Sequence, residues 1–265
     1  TGSNPVIAIP PTPRKYSTLL IQPNELFLLD GATGSELDRA GVDIGMPLWS
    51  ANAILNAPEI LKQVHVSYLE AGAQAIITNT FRTHERSLAK AGMGNRAEEL
   101  TAKAVEIACT ARDEVNTDAL IFGSVAPLED CYSPELAPST ERCQEEHEQM
   151  IRFLLDAGVD LVLIETMCSA REAIAATNAA VSNTKDWAVS FCMQTDALGA
   201  LLDGTSIADI VHEFQAAKFV GINCYPAISL SAQIEHLRSL LPSAMPIAAY
   251  GNVGYADEDG SWVNT

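Results

Sequence analysis

Sulfur-bearing and polar residues follow the short apolar runs of this chain, where they could bind or transform a small molecule. The run at 220–222 is followed by Asn223, Cys224 and a Tyr-Pro turn. A cysteine thiolate can attack an electrophile or bind a soft metal. The alternative is a buried structural cysteine, because free cysteine is among the most buried residue types.

Other apolar runs end in carboxylates, hydroxyls or amides. Two carboxylates suit an ammonium group, and hydroxyl and amide donors suit a carboxylate, so an amino acid is a sensible ligand class. Each residue alone could equally be a turn or capping residue. One thiolate cannot hold zinc by itself, because zinc sites use three or four protein ligands. The residues at the run ends are Asp30, Thr80, Phe81, Ser124, Glu165, Cys192, Asn223, Cys224, Tyr250 and Asn252.

These residues are positioned by apolar strands that alternate with amphipathic helices. Strands that are apolar throughout are typical of a parallel sheet covered on both faces. Successive βα units favour a closed barrel, in which the carboxyl ends of the strands form one mouth. We therefore expect an α/β fold, a (βα)8 TIM barrel. The predicted strands are 26–30, 75–81, 119–125, 161–165, 187–192, 218–223 and 246–250. The predicted helices are about 56–70, 84–115 with an interruption at 92–94, 139–156, 169–182, 206–217 and 229–241.

Glycines punctuate this pattern. The sequences at 71–73 and 157–160 predict matching helix-to-strand turns, and 31–34 predicts a glycine-rich turn without a P-loop lysine. No G-x-G-x-x-G motif follows the first strand, which argues against a dinucleotide site.

A TIM barrel needs eight strands, and the pattern predicts seven. We therefore expect that strand eight and its helix are missing from the given chain. Either the native chain continues past Thr265, or something else covers the gap between the first and seventh strands. Residues 1–24, with five prolines, are predicted as an irregular arm. Residues 25–265 are predicted as a single, C-terminally incomplete barrel domain.

Composition excludes several classes of partner. The chain has 265 residues, is 48% hydrophobic and carries a net charge of −18. Such a charge disfavours nucleic acid and anionic membrane surfaces. No apolar run approaches the roughly 20 residues of a membrane helix. Six cysteines without a C-x-x-C pair indicate reduced thiols and a cytoplasmic protein.

Several motifs resemble those of the homocysteine S-methyltransferase family, in order from about 26 to 254. The stretch at 250–254 has glycine where the family has proline. The matching stretches are Leu-Asp-Gly-Ala-Thr-Gly-Ser-Glu-Leu at 29–37, Pro-Leu-Trp-Ser-Ala at 47–51, Ile-Thr-Asn-Thr-Phe at 77–81, Leu-Ile-Glu-Thr at 163–166, Val-Gly-Ile-Asn-Cys at 220–224 and Tyr-Gly-Asn-Val-Gly at 250–254.

The resemblance implies a zinc-dependent methyltransferase that moves a methyl group from a cationic or corrinoid donor to the thiol of homocysteine, giving methionine. It makes Cys224 one of three zinc-ligand cysteines. The other two belong to a Gly-Gly-Cys-Cys motif on strand eight, which this sequence lacks, so the chain as given would lack zinc and activity. The substrate-binding residues implied are Asp30, Gly31, Thr78, Asn79, Thr80, Phe81, Glu165 and Asn223, and the donor pocket would include Trp49, Tyr250 and Asn252.

Two other functions stay open. A barrel lyase or aldolase would need a lysine at a strand end, whereas Lys218 opens its strand. A metal-free relic barrel could bind an amino acid or a partner without catalysis. The donor is left open among betaine, S-methylmethionine, S-adenosylmethionine and a methyl-corrinoid. The acceptor is homocysteine or a related thiol or selenol, and a homo-oligomer is one option for the assembly.

Overall fold

A computed structural model describes residues 25–252, 254–256 and 262–264. The arm predicted at 1–24 lies outside the described residues. The strands are β1 Ala75–Ile77, β2 Leu120–Val125, β3 Leu161–Met167, β4 Trp187–Phe191, β5 Val220–Pro226, β6 Ile247–Asn252, β7 Gly254–Ala256 and β8 Trp262–Asn264. The helices are α1 Thr33–Arg39, α2 Asn52–Asn56, α3 Pro58–Glu70, α4 Glu85–Ala89, α5 Ala97–Val115, α6 Thr140–Ala157, α7 Ala170–Asn183, α8 Ile207–Ile210 and α9 Leu230–Leu240.

Strands β1 to β6 form one parallel sheet in sequence order. A further segment extends the sheet beside β1, where Leu29 forms a parallel bridge with Ala75. The strand predicted at 26–30 is therefore reduced to one bridging residue. The reason is visible at Leu28, whose backbone N–H bonds to the side chain of Gln74 instead of continuing the ladder.

The sheet is strongly curled. Neighbouring strands lie about 4.8 Å apart, so rings three strands apart on a flat sheet would be roughly 14 Å apart. Phe122 of β2 and Phe219, directly before β5, have ring centroids only 6.1 Å apart. Phe27 also stacks on Phe122, at 6.3 Å. These rings lie on the inner face of the curled sheet and fill the interior of the barrel, as the predicted TIM-barrel fold requires.

The opposite face of each strand packs against the helices. Side chains alternate between the two faces of a strand, so Val189 and Phe191 point to the helical layer while Ala188 points inward. Phe191 contacts Phe214 with the ring centroids 5.0 Å apart. This layer is the larger apolar core and fixes the sheet that carries the mouth residues.

Most of the predicted helices and turns are present. Gly72 and Gly158 have positive φ angles, 100° and 88°, where a residue without Cβ ends a helix without strain. The prediction of one continuous helix at 206–217 was wrong, because the short helix α8 is followed by a 3-10 turn, Val211–Phe214. The glycine-rich turn predicted at 31–34 was also wrong, since α1 begins at Thr33.

After β6 the chain forms an antiparallel hairpin of β7 and β8. The parallel sheet of the described residues contains no eighth strand. Among the helices that the structure describes, none combines the length and apolarity needed to cross a bilayer.

Candidate functional site at the carboxyl ends of the strands

The alternation of side chains along each strand selects which polar residues face the barrel interior. Ser124 lies two residues after Phe122 and Glu165 two after Leu163, and both apolar residues belong to the interior cluster. By the same period of two, Ser190 and Tyr250 also face inward. The interior therefore changes from apolar to polar towards the carboxyl ends of the strands.

Glu165 of β3 is the centre of this polar layer. Ser124 of β2 donates a hydrogen bond to its Oε1, and the hydroxyl of Tyr250 donates to its Oε2 at 3.1 Å. Burial raises the pKa of Glu165, and these two donors partly offset the effect. Donors from two other strands, β2 and β6, thus hold the carboxyl group of Glu165 in place.

Asp30 provides the second buried carboxyl group. Its Oδ2 accepts a hydrogen bond from the backbone N–H of Ile77 at 2.9 Å. Its Oδ1 is buried and has no partner among the described residues. Burial raises the pKa of Asp30 well above its usual range, and the negative charge of Glu165 adds to the shift. A cationic group of a ligand could donate a hydrogen bond to Oδ1, and its positive charge would offset the repulsion between Asp30 and Glu165.

Asn223 organises the side of the mouth that carries the cysteine. Its Oδ1 accepts hydrogen bonds from Thr166 N at 3.0 Å and from Ser190 Oγ at 2.8 Å. Its Nδ2 donates to Thr166 Oγ1 at 2.7 Å and lies 3.4 Å from Cys224 Sγ. The buried amide thereby connects β3, β4 and β5 and orients the thiol.

The backbone is strained at the same place. Thr166 and Cys224 have φ angles of 61° and 50°, in the left-handed region that residues other than glycine rarely adopt. Such conformations cost about 1–3 kcal/mol each and persist where surrounding contacts hold them. The contacts of Asn223 supply this restraint.

Cys224 is the most exposed residue of a group of four cysteines at the mouth, Cys131, Cys168, Cys192 and Cys224. Burial and the charge of Glu165 raise the pKa of Cys224 to about 11. Cys192 donates a weak hydrogen bond to the carbonyl of Cys224, with sulfur and oxygen 3.7 Å apart. Cys131 and Cys168 are buried nearby, and burial raises the pKa of both.

Among the described residues, the thiols at the mouth do not form a metal site. Three or four ligands are needed to hold zinc, and the described residues contain no group of three or more His, Cys, Asp or Glu placed to bind a metal ion. Cys224 can therefore supply one thiolate, but the described residues do not fit a complete zinc site.

The segment predicted to lie against the substrate follows β1 and leads to α4. The hydroxyls of Thr78 and Thr80 are 2.8 Å apart, and Thr80 donates to the carbonyl of Ser124 at 2.8 Å. The amide of Asn79 is bonded twice to Ser50, at 2.7 and 2.8 Å. The structure thus brings Thr78 and Thr80 to the polar layer, whereas Asn79 anchors the turn that carries Trp49.

The three residues predicted for the donor pocket each contact different partners. Trp49 packs edge-on against Phe81, with ring centroids 5.6 Å apart. Tyr250 instead bonds to Ser190 at 2.6 Å and to Glu165. Asn252 interacts with the hydroxyl of Tyr132. The structure therefore places Tyr250 with the carboxylates and Trp49 with Phe81.

The glycines of the first motif make room for aromatic rings. A Cβ on Gly34 would lie 2.4 Å from the ring of Trp49, and one on Gly31 would lie 2.8 Å from the ring of Tyr68. Such distances are shorter than any ordinary contact, so both positions depend on the absence of a side chain.

Sequence reasoning missed Tyr132, which lies in the loop between β2 and α6. Its side chain is half exposed, and its hydroxyl donates a hydrogen bond to the sulfur of Cys224. The only sequence signal was its position in a proline-rich loop after a strand. Loop conformation decides this contact, and the pattern of strands and helices does not predict it.

The fold and these contacts define a TIM-barrel protein whose mouth combines two buried carboxyl groups with a cysteine thiol. The family model described as homocysteine S-methyltransferase matches residues 27–265. The chain therefore belongs to the homocysteine S-methyltransferase family.

Individual relatives agree with this assignment. Homocysteine S-methyltransferases of Escherichia coli (strain K12) and Bacillus subtilis (strain 168) are each 32% identical to the chain; both alignments cover 89% of it and 80% and 81% of the relatives. A selenocysteine methyltransferase of Astragalus bisulcatus is 30% identical, over 89% of this chain and 78% of its own. The metallated form of the homocysteine methyltransferase MmuM from Escherichia coli superposes with a TM-score of 0.77 at 31% identity, covering 86% of this chain and 84% of that one.

Proposed function

We propose that this chain transfers a methyl group from a small donor to the thiol of homocysteine, producing methionine. The observation that carries the proposal is the buried Oδ1 of Asp30, which has no partner in the part of the chain that the structure describes and lies beside the charge of Glu165. An amino-acid ammonium group would complete the hydrogen bonds of Asp30 and neutralise the repulsion between the two carboxylates. Family membership supports the thiol acceptor.

The transfer itself needs a thiolate and a methyl carbon held in line. A free thiol has a pKa near 8.5, so only a small fraction is ionised at neutral pH. The sulfur forms its new bond to the methyl carbon as the bond to the donor breaks, and the thiol proton leaves to solvent. A sulfonium or quaternary ammonium donor departs neutral, so no acid is needed at that step. The barrel contributes positioning and exclusion of water.

Zinc is retained as part of the proposal on the family resemblance. When bound, zinc would favour the thiolate form of the substrate. Cys224 would be one of its ligands, and the described residues do not supply the others.

The donor pocket is proposed at Trp49 and Phe81. Aromatic faces bind cationic methyl groups, and this ring pair lies at the end of the segment that carries Thr78 and Thr80. A selenocysteine methyltransferase among the relatives keeps a selenol acceptor in the proposal as the second choice. The six free cysteines of the chain support a cytoplasmic location.

A direct assay tests the proposal. The purified chain is incubated with homocysteine and, in separate reactions, S-methylmethionine, betaine, S-adenosylmethionine or methylcobalamin, each with and without added zinc. Methionine measured by mass spectrometry is expected with at least one donor. Asp30→Asn should abolish it, and Asp118→Asn, at an exposed turn, should not. Binding of homocysteine without methionine from any donor would favour the relic barrel.

A further inference from the structure

Arg82 is a buried cation beside the candidate site. It follows Phe81 directly, is only 7% exposed and lies with its guanidinium carbon 5.3 Å from the centroid of the Phe81 ring. Its Nη1 donates a hydrogen bond to the carbonyl of Glu129 at 2.8 Å. The side chain is thus fixed between the end of the β1 segment and the loop that carries Tyr132.

Arg82 has no carboxylate partner among the described residues. Its Nε is buried and unpartnered. Acidic residues outnumber basic ones by 34 to 16 in this chain, so carboxylates are not scarce. The nearby cations Arg86 and Lys90 both pair with the carboxylate of Glu129. Burying a cation without a counter-ion is unfavourable, which indicates that Arg82 meets an anion when the site is in use.

The unpartnered Nε of Arg82 belongs to the guanidinium edge that can form a carboxylate fork. Arg86 shows the same edge in use, with Nε 2.8 Å from Glu146 Oε2 and Nη2 2.5 Å from Oε1. The hydrogen bond of Arg82 uses Nη1, on the other side of its guanidinium. An Nε–Nη2 edge matches two carboxylate oxygens.

Arg82 also lies within electrostatic range of the thiols at the mouth. Its positive charge partly offsets the burial that raises the pKa of Cys131, and the same thiol interacts with Cys224. The contact with Phe81 places Arg82 beside the ring pair proposed for the donor.

We propose that Arg82 binds the carboxylate of the amino-acid ligand, opposite the carboxyl groups that take its ammonium end. The proposal rests on the proposed function. Two ligands carry such a carboxylate, the acceptor amino acid and a zwitterionic methyl donor. Either would give the site one negative and one positive subsite for the two ends of a zwitterion.

The test compares ligands with and without the carboxylate by calorimetry. L-Methionine is paired with 3-(methylthio)propylamine, and S-methylmethionine with (3-aminopropyl)dimethylsulfonium. The wild-type chain should prefer the carboxylate in at least one pair by about tenfold or more, as expected for a charge-assisted hydrogen bond. Arg82→Gln should remove that preference, while the matched control Arg86→Gln should keep it. If Arg82→Gln loses the preference for the carboxylate in the methionine pair, the subsite belongs to the acceptor. If it loses the preference in the sulfonium pair, the subsite belongs to the donor.

Two results would overturn the inference, and they are distinguishable. A preference that survives Arg82→Gln removes Arg82 from the subsite and leaves the proposed function intact. A folded wild-type chain that binds neither amino acid removes the proposed function and the inference with it. If Arg82→Gln fails to fold by circular dichroism, Arg82→Lys takes its place. That variant keeps the charge without the fork, and an unchanged preference would also count against the proposal.

Discussion

Asn223 holds Thr166 through two hydrogen bonds, one to its backbone N–H and one to its hydroxyl. The two residues lie on β5 and β3, with β4 between them. Thr166 is one of three residues other than glycine with positive φ among the described residues, and Cys224, next to Asn223, is another. The pair therefore fixes the local backbone on both sides of the thiol.

Asn223→Ala should destabilise the fold by about 2–4 kcal/mol, because it leaves the buried backbone N–H of Thr166 without its acceptor and removes one of the two partners of the Ser190 hydroxyl. Urea denaturation followed by circular dichroism measures the change. Asn178→Ala, on the exposed side of α7, is the matched control and should stay within about 0.5 kcal/mol. A loss below about 1 kcal/mol for Asn223→Ala would show that the network is not needed to hold the strained backbone.

Binding of an amino acid should release a proton from Asp30. Burial and the charge of Glu165 raise the pKa of this carboxyl group, whereas a bound ammonium favours the carboxylate. Affinity should therefore increase with pH across the range in which ligand-free Asp30 titrates. Calorimetry in buffers of different ionisation enthalpy counts the proton, and Asp30→Asn should remove it. The same proton count in Asp30→Asn would place the titrating group elsewhere.

The same substitution should raise stability at neutral pH. A carboxyl group with a raised folded-state pKa stabilises the fold while protonated, and that contribution is lost as pH rises through the folded-state value. Asp30→Asn keeps a neutral side chain, so its stability should not decline over this range. Urea midpoints of both proteins at acidic and neutral pH measure the difference, with Asp118→Asn as the control.

His65 should make the fold sensitive to acid. It is fully buried in α3, and neither ring nitrogen has a partner among the described residues. Burial lowers the pKa of His65 from 6.5 to about 4. The stability that neutral His65 contributes to the fold is fully present above pH 6.5. It is lost as the pH falls towards 4, and the total loss is about 3 kcal/mol.

His65→Leu should accordingly flatten the decline of stability between these pH values. The free energy of unfolding in urea at half-unit pH steps measures the slope. His212→Gln, at an exposed position, should leave the slope unchanged. Equal slopes for His65→Leu and wild type would mean that His65 is protonated as readily in the folded chain as in the unfolded one.

Glu172 should be needed for the loop that carries Tyr132. Its buried Oε1 accepts hydrogen bonds from Leu128 N at 2.8 Å and from His147 Nε2 at 3.0 Å. Glu172→Ala leaves both donors unpartnered and should cost about 3–5 kcal/mol. Glu172→Gln keeps an acceptor and should cost about 1–2 kcal/mol. Thermal and urea denaturation compare the two variants, and equal losses would contradict the role of the acceptor oxygen.

The sequence predicted the parts of the fold that depend on local pattern. The apolar runs became strands, and the turns at Gly72 and Gly158 formed because positive φ is a property of single residues. The first strand was overestimated, because the side chain of Gln74 competes for the backbone of Leu28. Such competition between residues far apart in sequence leaves no periodic signal.

The same distinction applies to the candidate site. Strand ends predicted that Glu165 and Tyr250 would lie at one mouth, and their hydroxyl–carboxyl contact follows from the curl of the sheet. The partners of Asn79 and Arg82 could not be predicted, since Ser50 lies in a short 3-10 turn and Glu129 in a loop, both far from their partners in sequence.

The contact among Phe27, Phe122 and Phe219 has a consequence for biosynthesis. Chains emerge from the ribosome N-terminus first and fold by units as they appear. The first two rings can meet early, but the third belongs to a segment translated much later. The inner lining of the nascent barrel therefore stays accessible to water and chaperones until β5 has left the exit tunnel.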